Sequence, residues 1–335
     1  MNRKKVAVYG VILAIIVAIY ALVTVLTGAG VLNTYYSGIL IMVCINIILA
    51  TSLNLSTGFL GQLILGHAGF MSVGAYAAAL FTLRAGMPDT IDFPLALIVG
   101  GLTAALFGLI IGIPALRLKG DYLAIITLGF GEIIRVIIIN LGFTGGARGL
   151  RGIPRDTNFT WVFLLAVLTV AIIYAFIHTR HGRAVISIRE DEIAAEASGV
   201  NTTYYKLLAF IMSAFFAGIA GGLYAHHIGI LNPTKFDFNY SVEILVMVVL
   251  GGMGSITGSV IAAVVLTILP EALRDFASYR MLAYSIVLIC VMLFRPSGLL
   301  GQYEFSLTRL FDKLSGSKGD KSTKKNSASG GEKGA

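Results

Sequence analysis

The amino-acid sequence predicts an all-α integral membrane protein, a polytopic bundle of about 8–10 transmembrane helices. Three observations lead to this fold class. The 335 residues are 57% hydrophobic and only 13% charged, whereas a soluble domain carries about 25% charged residues. Apolar runs of about 20 residues, long enough to cross a hydrocarbon core, recur along most of the chain. Glycines break two of the apolar stretches, which predicts re-entrant segments beside simple spans.

The candidate spans are eight runs of mostly apolar residues. The first follows Arg3, Lys4 and Lys5 and is too long for the apolar part of a signal peptide, so we expect a signal anchor. The stretch 240–270 is broken by glycine, and it is either a re-entrant hairpin or two short spans. The eight runs cover residues 6–27, 37–56, 68–86, 93–117, 121–141, 159–178, 205–227 and 280–295.

Basic residues at the ends of the runs set the expected orientation, because short loops rich in Lys and Arg stay in the cytoplasm. We expect a multi-pass protein of the inner (plasma) membrane with both termini and the loop 179–206 in the cytoplasm. Residues 1–301 then form one transmembrane domain. Residues 302–335 form a basic, disordered cytoplasmic tail that can contact membrane lipid. This distribution accounts for the net charge of +8, so we expect no nucleic acid partner.

Three arginines do not fit this orientation. Arg148, Arg151 and Arg155 fall on the outer side, between the fifth and sixth candidate spans, where Asp156 is the one acid. The sequence leaves two interpretations open, which are an error in the assigned topology and a docking patch for an acidic partner.

Two glycine breaks indicate a translocation path, because broken segments in the two halves of a transporter often border it. We call residues 57–62 the first break and residues 251–254 the second break. Close helix packing is the alternative explanation for the glycines. His67 follows the first break, and the alternative to a role in the path is that it caps a helix or packs in the core. The candidate path residues are Gly61, Gln62, Gly66, His67, Gly69, Gly251, Gly252, Gly254 and Ser255.

Charged residues inside apolar runs are rare and therefore informative. Glu132 and Arg135 stand three residues apart, so they can form an intramembrane ion pair on one helix face, with a structural or a gating role. Glu243 opens the second broken stretch and is expected to face a cavity or a neighbouring subunit. His226 and His227 are expected at the membrane interface. No metal spacing, catalytic motif or phosphate loop is present.

The loop 179–206 is the most highly charged internal stretch, and it predicts a short helix that contacts a cytoplasmic partner. Ala194 and Ala195 favour a helix and Gly199 is placed to end it. At helical spacing, Arg189 can pair with Glu192 or with neighbours on the side of Glu196. A solvated connector is the alternative interpretation. The residues expected to make the contact are Arg189, Glu190, Asp191, Glu192, Ala194, Ala195 and Gly199.

The same loop resembles the coupling loop of the LivM-type permeases, the ABC permease family for branched-chain amino acids. Six further stretches are similar to that family and occur in the expected order. Ile64 is a departure, because the family often has Ser there, and it weakens a substrate assignment from that motif. The terminal segments carry no resemblance. The six stretches are 61–70, 117–122, 127–135, 144–146, 251–255 and 295–301.

The resemblance implies a permease subunit of an ABC importer that moves leucine, isoleucine and valine across the inner membrane. It implies as partners a second, LivH-like permease subunit, two cytoplasmic ATP-binding subunits and an extracytoplasmic substrate-binding protein. The chain would then be no enzyme and would hold no cofactor or metal, because the partner subunits bind ATP. A related importer of urea or short amides is one alternative. A stand-alone secondary transporter is another, which the scarcity of intramembrane acids disfavours.

Overall fold

The computed structural model of the chain describes residues 3–30, 33–86, 88–274, 285, 286, 289, 293, 298 and 301. They belong to two compact units. In the first unit, helix α1 spans Arg3–Gly28, so the run 6–27 is helical. The second unit covers residues 32–304 and contains all the elements described below.

The second unit is built almost entirely from helices. A π-helical turn, Leu55–Phe59, extends α2 into the first break. Two very short strands pair antiparallel, with Leu150 of β1 opposite Leu231 of β2. The bounds are α2 (Thr34–Asn54), α3 (His67–Ala85), α4 (Asp89–Ala115), α5 (Asp121–Asn140), β1 (Leu150–Arg151), α6 (Phe159–His178), α7 (Arg180–Glu190), α8 (Glu192–Ala197), α9 (Thr202–Ile228), β2 (Ile230–Leu231), α10 (Phe238–Gly251) and α11 (Ile256–Ala272).

Within the described residues, six helices are long and apolar enough to cross a membrane. They confirm the all-α fold class and six of the predicted runs. The predicted run 280–295 lies almost wholly outside the described residues. The stretch 240–270 forms two shorter helices, α10 and α11, which meet at the second break. The six spans are Thr34–Phe59, His67–Ala85, Ile91–Ala115, Asp121–Asn140, Phe159–His178 and Thr202–Ile228.

Glycines set the packing of α3 and α9 at the centre of the bundle. A Cβ at Gly74 of α3 would overlap the backbone of Gly218 on α9, and a Cβ at Gly221 would overlap the carbonyl oxygen of Met71. Backbones can approach this closely only without side chains between them, as in other membrane helix pairs rich in small residues. Close packing therefore explains this group of glycines.

The helix α2 runs through the interior and is joined to its neighbours by buried polar contacts. Asn46 donates a 2.8 Å hydrogen bond to the hydroxyl of Thr267 on α11. Ser213 of α9 donates a 2.7 Å hydrogen bond to the carbonyl oxygen of Ser52. Such contacts replace the hydrogen bonds that these groups would otherwise lose in an apolar environment.

The bundle has two chemically different ends. The α6 helix begins shortly after β1 and ends at His178, where α7 follows. The α9 helix begins at Thr202 after α8 and ends just before β2. We call the end that carries α7 and α8 the loop end, and the end that carries β1 and β2 the ribbon end. A 20-residue helix such as α6 separates them by about 30 Å.

Candidate functional site

The charged loop at the loop end folds into two short helices rather than one. Asp191 has an extended backbone (φ −156°, ψ 109°), and its carboxylate accepts hydrogen bonds from the N–H groups of Ile193 (2.9 Å) and Ala194 (3.0 Å). It therefore caps α8. Gly199 follows α8 with a φ of +83° and donates to the Glu196 carbonyl at 2.9 Å, which is the common glycine ending of a helix.

The expected pairing of Arg189 with Glu192 is wrong, because Asp191 interrupts the helix between them. The Glu192 carboxylate instead contacts the ammonium groups of Lys206 (2.8 Å) and Lys119 (3.4 Å). Lys206, on α9, has a side chain only 4% exposed. Partial burial alone would raise the pKa of Glu192, but the two lysines outweigh it and hold this pKa below its ordinary value. Glu192 thus fastens α8 to the bundle.

The exposed face of α8 consists of residues that point away from the bundle. Ile193 is 77% exposed, and Ala194 and Glu196 are exposed as well, whereas Ala195 is buried. Of the contact residues expected from the sequence, Ala195 is buried and Glu192 bonds to the bundle, and their contact with a partner stays a prediction. Ile193 was not among the expected contact residues, and an exposed large apolar residue among charges is unusual on a solvated surface.

Arg189, at the end of α7, connects the loop to both glycine breaks. Its Nη1 donates a 2.9 Å hydrogen bond to the carbonyl oxygen of Gly58, and its Nη2 contacts the carboxylate of Glu190 at 2.7 Å. A Cβ at Gly61 would lie 2.6 Å from the Arg189 Cγ, and one at Gly254 would lie 2.8 Å from Nη1. The side chain occupies space that both glycines leave open.

The two breaks also contact each other directly. Asn54 is fully buried; its side-chain oxygen accepts from the Gly254 N–H at 2.9 Å, and its amide donates to the Ser255 carbonyl at 2.9 Å. A Cβ at Gly58 would overlap the Gly254 nitrogen. Gly58 was predicted as part of the first break, whereas Asn54 was not singled out from the sequence. The available signal was a polar residue inside an apolar run directly before a break.

The remaining glycines of the second break pack against other backbone. A Cβ at Gly251 would lie 2.5 Å from Gly258 of α11, and one at Gly252 would overlap the carbonyl oxygen of Gly301. For these two candidates the geometry fits the packing alternative. Their role in a path stays a prediction.

The candidates that follow the first break lie against α5 and α2. Gly66 approaches the backbone of Thr127, and a Cβ at Gly69 would lie 2.9 Å from the Cα of Gly131. His67 is buried, with its Nε2 at 3.0 Å from the Ser52 hydroxyl. These contacts favour packing for His67. Gln62 is half-buried, and its backbone N–H donates to the Ser56 carbonyl at 3.0 Å.

Glu132 and Arg135 contact each other on α5, with Nη2 at 2.6 Å from the carboxylate. Their side chains are 32% and 28% exposed in this chain. Glu132 borders a narrow cleft that also includes Gly131 and Asp237, and Glu243 on α10 is exposed. Charges exposed on apolar helices indicate a surface that meets a polar path or another subunit rather than lipid.

The three arginines expected to form a docking patch lie at the ribbon end. Arg148, Arg151 and Arg155 are all exposed, and Arg155 donates a 3.2 Å hydrogen bond to the Ile228 carbonyl. They stand at the opposite end from the charged loop. The two ends therefore present separate surfaces, one with arginines and one with Ile193.

The expectation for His226 is corrected by its burial. The ring is fully buried, with Nε2 at 3.0 Å from the Thr82 hydroxyl and Nδ1 at 2.8 Å from the Gly222 carbonyl oxygen. It joins α9 to α3 inside the bundle. Across the described part of the chain, no group of three His, Cys, Asp or Glu side chains could hold a metal ion.

Known proteins resemble this chain over most of its length. The family described as the branched-chain amino acid transport system / permease component matches residues 35–295. The high-affinity branched-chain amino acid transport system permease protein LivM of Salmonella typhimurium (strain LT2) is 40% identical over 77% of this chain and 68% of that protein. LivM of Escherichia coli (strain K12) is 39% identical over 76% and 68%. The permease protein LivH of Escherichia coli (strain K12) is 33% identical over 43% and 46%.

Proposed function

We propose a function that follows from the family of this chain. The chain belongs to the family of branched-chain amino acid transport system permease components. It is the LivM-type, membrane-spanning permease subunit of an ABC importer, and its substrates are leucine, isoleucine and valine. The importer lies in the inner membrane. The loop end faces the cytoplasm together with both chain termini, and the ribbon end faces outward.

The observation that carries this proposal is the construction of the loop 179–206. Glu192 and Arg189 fasten it to the bundle at one face, while Ile193 remains 77% exposed on the other. A coupling loop needs an exposed face that binds a moving partner. It also needs a firm attachment to the bundle, because the movement of the partner must be transmitted to the spans. The partners that grip it are two cytoplasmic ATP-binding subunits. They bind and hydrolyse ATP, so this subunit needs no cofactor or catalytic residue.

The remaining surfaces have partners of their own. A second, LivH-like permease subunit covers the face of α5 and α10 that exposes Glu132, Arg135 and Glu243. An extracytoplasmic substrate-binding protein docks at the ribbon end, where the exposed arginines attract an acidic surface. The transported amino acid passes between the two permease subunits.

Copurification and transport test the proposal. The tagged chain is coexpressed with its genomic neighbours, purified in mild detergent and reconstituted in liposomes with the binding protein. We expect a second permease and ATPase subunits to copurify, and leucine to stimulate both ATP hydrolysis and uptake, with urea as the competing substrate. A variant of the ATPase subunit that cannot hydrolyse ATP is the control. Recovery of the chain alone, moving solute down an ion gradient, would contradict the proposal.

A further inference from the structure

We infer that Arg189 is a latch that holds the two glycine breaks together at the loop end, and that its release opens this end of the path. The inference rests on the proposed function, because it assigns the step by which movement of the loop reaches the translocation path. Arg189 is thus a positioning residue, which acts through the backbone that it holds.

The guanidinium of Arg189 donates hydrogen bonds to both the bundle and the loop. Nη1 donates to Gly58 in the bundle, whereas Nε and Nη2 donate to Glu190 in the loop at 3.2 and 2.7 Å. The guanidinium is planar and its donors have fixed directions. While the bonds to Glu190 keep the guanidinium fixed to α7, a movement of α7 by more than about 1 Å breaks the bond to Gly58. The bond reports directly on the position of the loop.

The backbone that accepts this bond lies outside regular α-helix. Gly58 lies in the π-helical turn Leu55–Phe59, and such turns are rare and frequently occur at functional sites. The chain then leaves helical geometry until α3 begins at His67. The segment depends on contacts from outside for its position, because it has few hydrogen bonds of regular structure. Arg189 supplies one of these contacts.

The second break lies next to both Asn54 and Arg189. Asn54 joins Gly254 and Ser255 to the end of α2 by two hydrogen bonds of 2.9 Å, and Arg189 fills the space beside Gly254. The loop, the first break and the second break thus meet at one guanidinium group. A movement of α7 would thus reach the first break through the bond to Gly58, and the second break through the two hydrogen bonds of Asn54.

Arg189 has open space beside it into which its side chain can move. A cleft of about 380 Å³ opens beside it, bordered by Phe59, His178, Arg183 and Gly254. The cleft is open to the outside of the bundle, so water can solvate the released guanidinium. Release therefore does not leave a charge buried without a partner, and the latch can open and close reversibly.

Hydrogen exchange of the assembled importer tests the latch. In Arg189→Gln we expect amide exchange to rise roughly tenfold in the first and second breaks, the size expected for loss of one charge-assisted hydrogen bond. In liposomes we expect efflux of preloaded leucine without ATP to rise, and leucine moved per ATP to fall. Arg189→Lys keeps the charge without the planar fork and should give a smaller rise.

Arg183→Gln is the matched control, because Arg183 belongs to the same helix and borders the same cleft. It should leave exchange and leak unchanged. The latch is contradicted by unchanged exchange in the breaks, by a rise spread evenly over the bundle, or by an equal effect of Arg183→Gln. If the wild-type complex shows no ATP-driven uptake, the proposed function is wrong, and exchange in the two breaks still decides whether Arg189 holds them.

Discussion

The centre of the bundle and its loop end both bring backbones together through glycines, but they hold them differently. Between α3 and α9, Gly74 meets Gly218 and Gly221 meets Met71 by direct backbone contact along two long helices. At the loop end, the backbones of Gly58 and Gly254 meet where helices are interrupted, and polar side chains hold the contact. Asn54 and Arg189 are these side chains.

This difference determines where movement can occur in the bundle. Continuous helix packing has one arrangement, because any shift would create overlap or a cavity along the whole contact. A junction held by a few hydrogen bonds can open at the cost of those bonds alone. Glycines of similar appearance in the sequence therefore belong to a static core in one region and to a movable junction in the other.

The largest expected effect comes from adding a methyl group to the static core. Gly221→Ala places a Cβ against the carbonyl oxygen of Met71 and 2.9 Å from the Ala75 nitrogen. Neither backbone can yield, so we expect a loss of about 3 kcal/mol in stability, measured as thermal unfolding in detergent. Gly129→Ala, where nothing lies within 4 Å, is the control. Equal unfolding temperatures for the two variants would show that the backbones of α3 and α9 are not in direct contact at Gly221.

The next effect concerns the attachment of α8. Glu192→Gln leaves the buried Lys206 without its carboxylate, and we expect a cost of about 2 kcal/mol, since Glu192 is itself partly exposed. The loop should then be cleaved faster by added protease, and uptake should fall. Glu196→Gln, on the exposed side of α8, should behave as wild type. Protection of the loop in both variants would show that Glu192 is not an anchor.

The exposed face of α8 gives a smaller effect, limited to assembly. Ile193→Asp should weaken retention of the ATPase subunits roughly tenfold, because one apolar contact of an interface is lost, while thermal unfolding of the chain stays the same. Ile193→Leu should retain the subunits. Full copurification of the ATPase subunits with Ile193→Asp would place their contact elsewhere.

The ribbon end should respond through the rate of association. Replacing Arg148 and Arg151 together with Glu should slow binding of the substrate-binding protein roughly tenfold at low salt, and high salt should remove most of this difference. Replacing Arg180 and Arg183 together with Glu, at the loop end, changes the net charge by the same amount and is the control. An association rate that is unaffected by the ribbon variant would reject the docking patch.

The smallest effect follows from pH. The folded-state pKa of Glu192 lies below its ordinary value of 4.5, so the pair stabilises the loop fully above that value and loses its contribution as pH falls through the lowered pKa. We expect protease protection of the loop to be constant from about pH 6 to 8 and to decline only in more acidic solution. A loss of protection near neutral pH would contradict the pairing.

The sequence predicted the helices and the breaks because both follow from local composition. Apolar length determines a span, and the glycines clustered at 57–62 and 251–254 locally favour a break in it. The glycine ending of α8 at Gly199 has the same local origin. The family resemblance was visible for similar reasons, since its stretches are short and contiguous.

The sequence could not predict the hydrogen-bond and ion-pair partners of the polar side chains. Glu192 pairs with Lys206 and Lys119 because folding brings α9 and the start of α5 to the loop, and no spacing rule connects them. The burial of His226 depends on Thr82 of another helix. The latch likewise joins Arg189 to Gly58, which is 131 residues away.

The most direct test of the account compares hydrogen exchange of the assembled importer with and without a nonhydrolysable ATP analogue. Binding of the analogue to the partner subunits should change exchange in the loop 179–206 and in both glycine breaks together, and leave the contact between α3 and α9 unchanged. That result would establish the loop end as the region through which ATP binding reaches the path. A change confined to the loop, or one centred on α3 and α9, would contradict it.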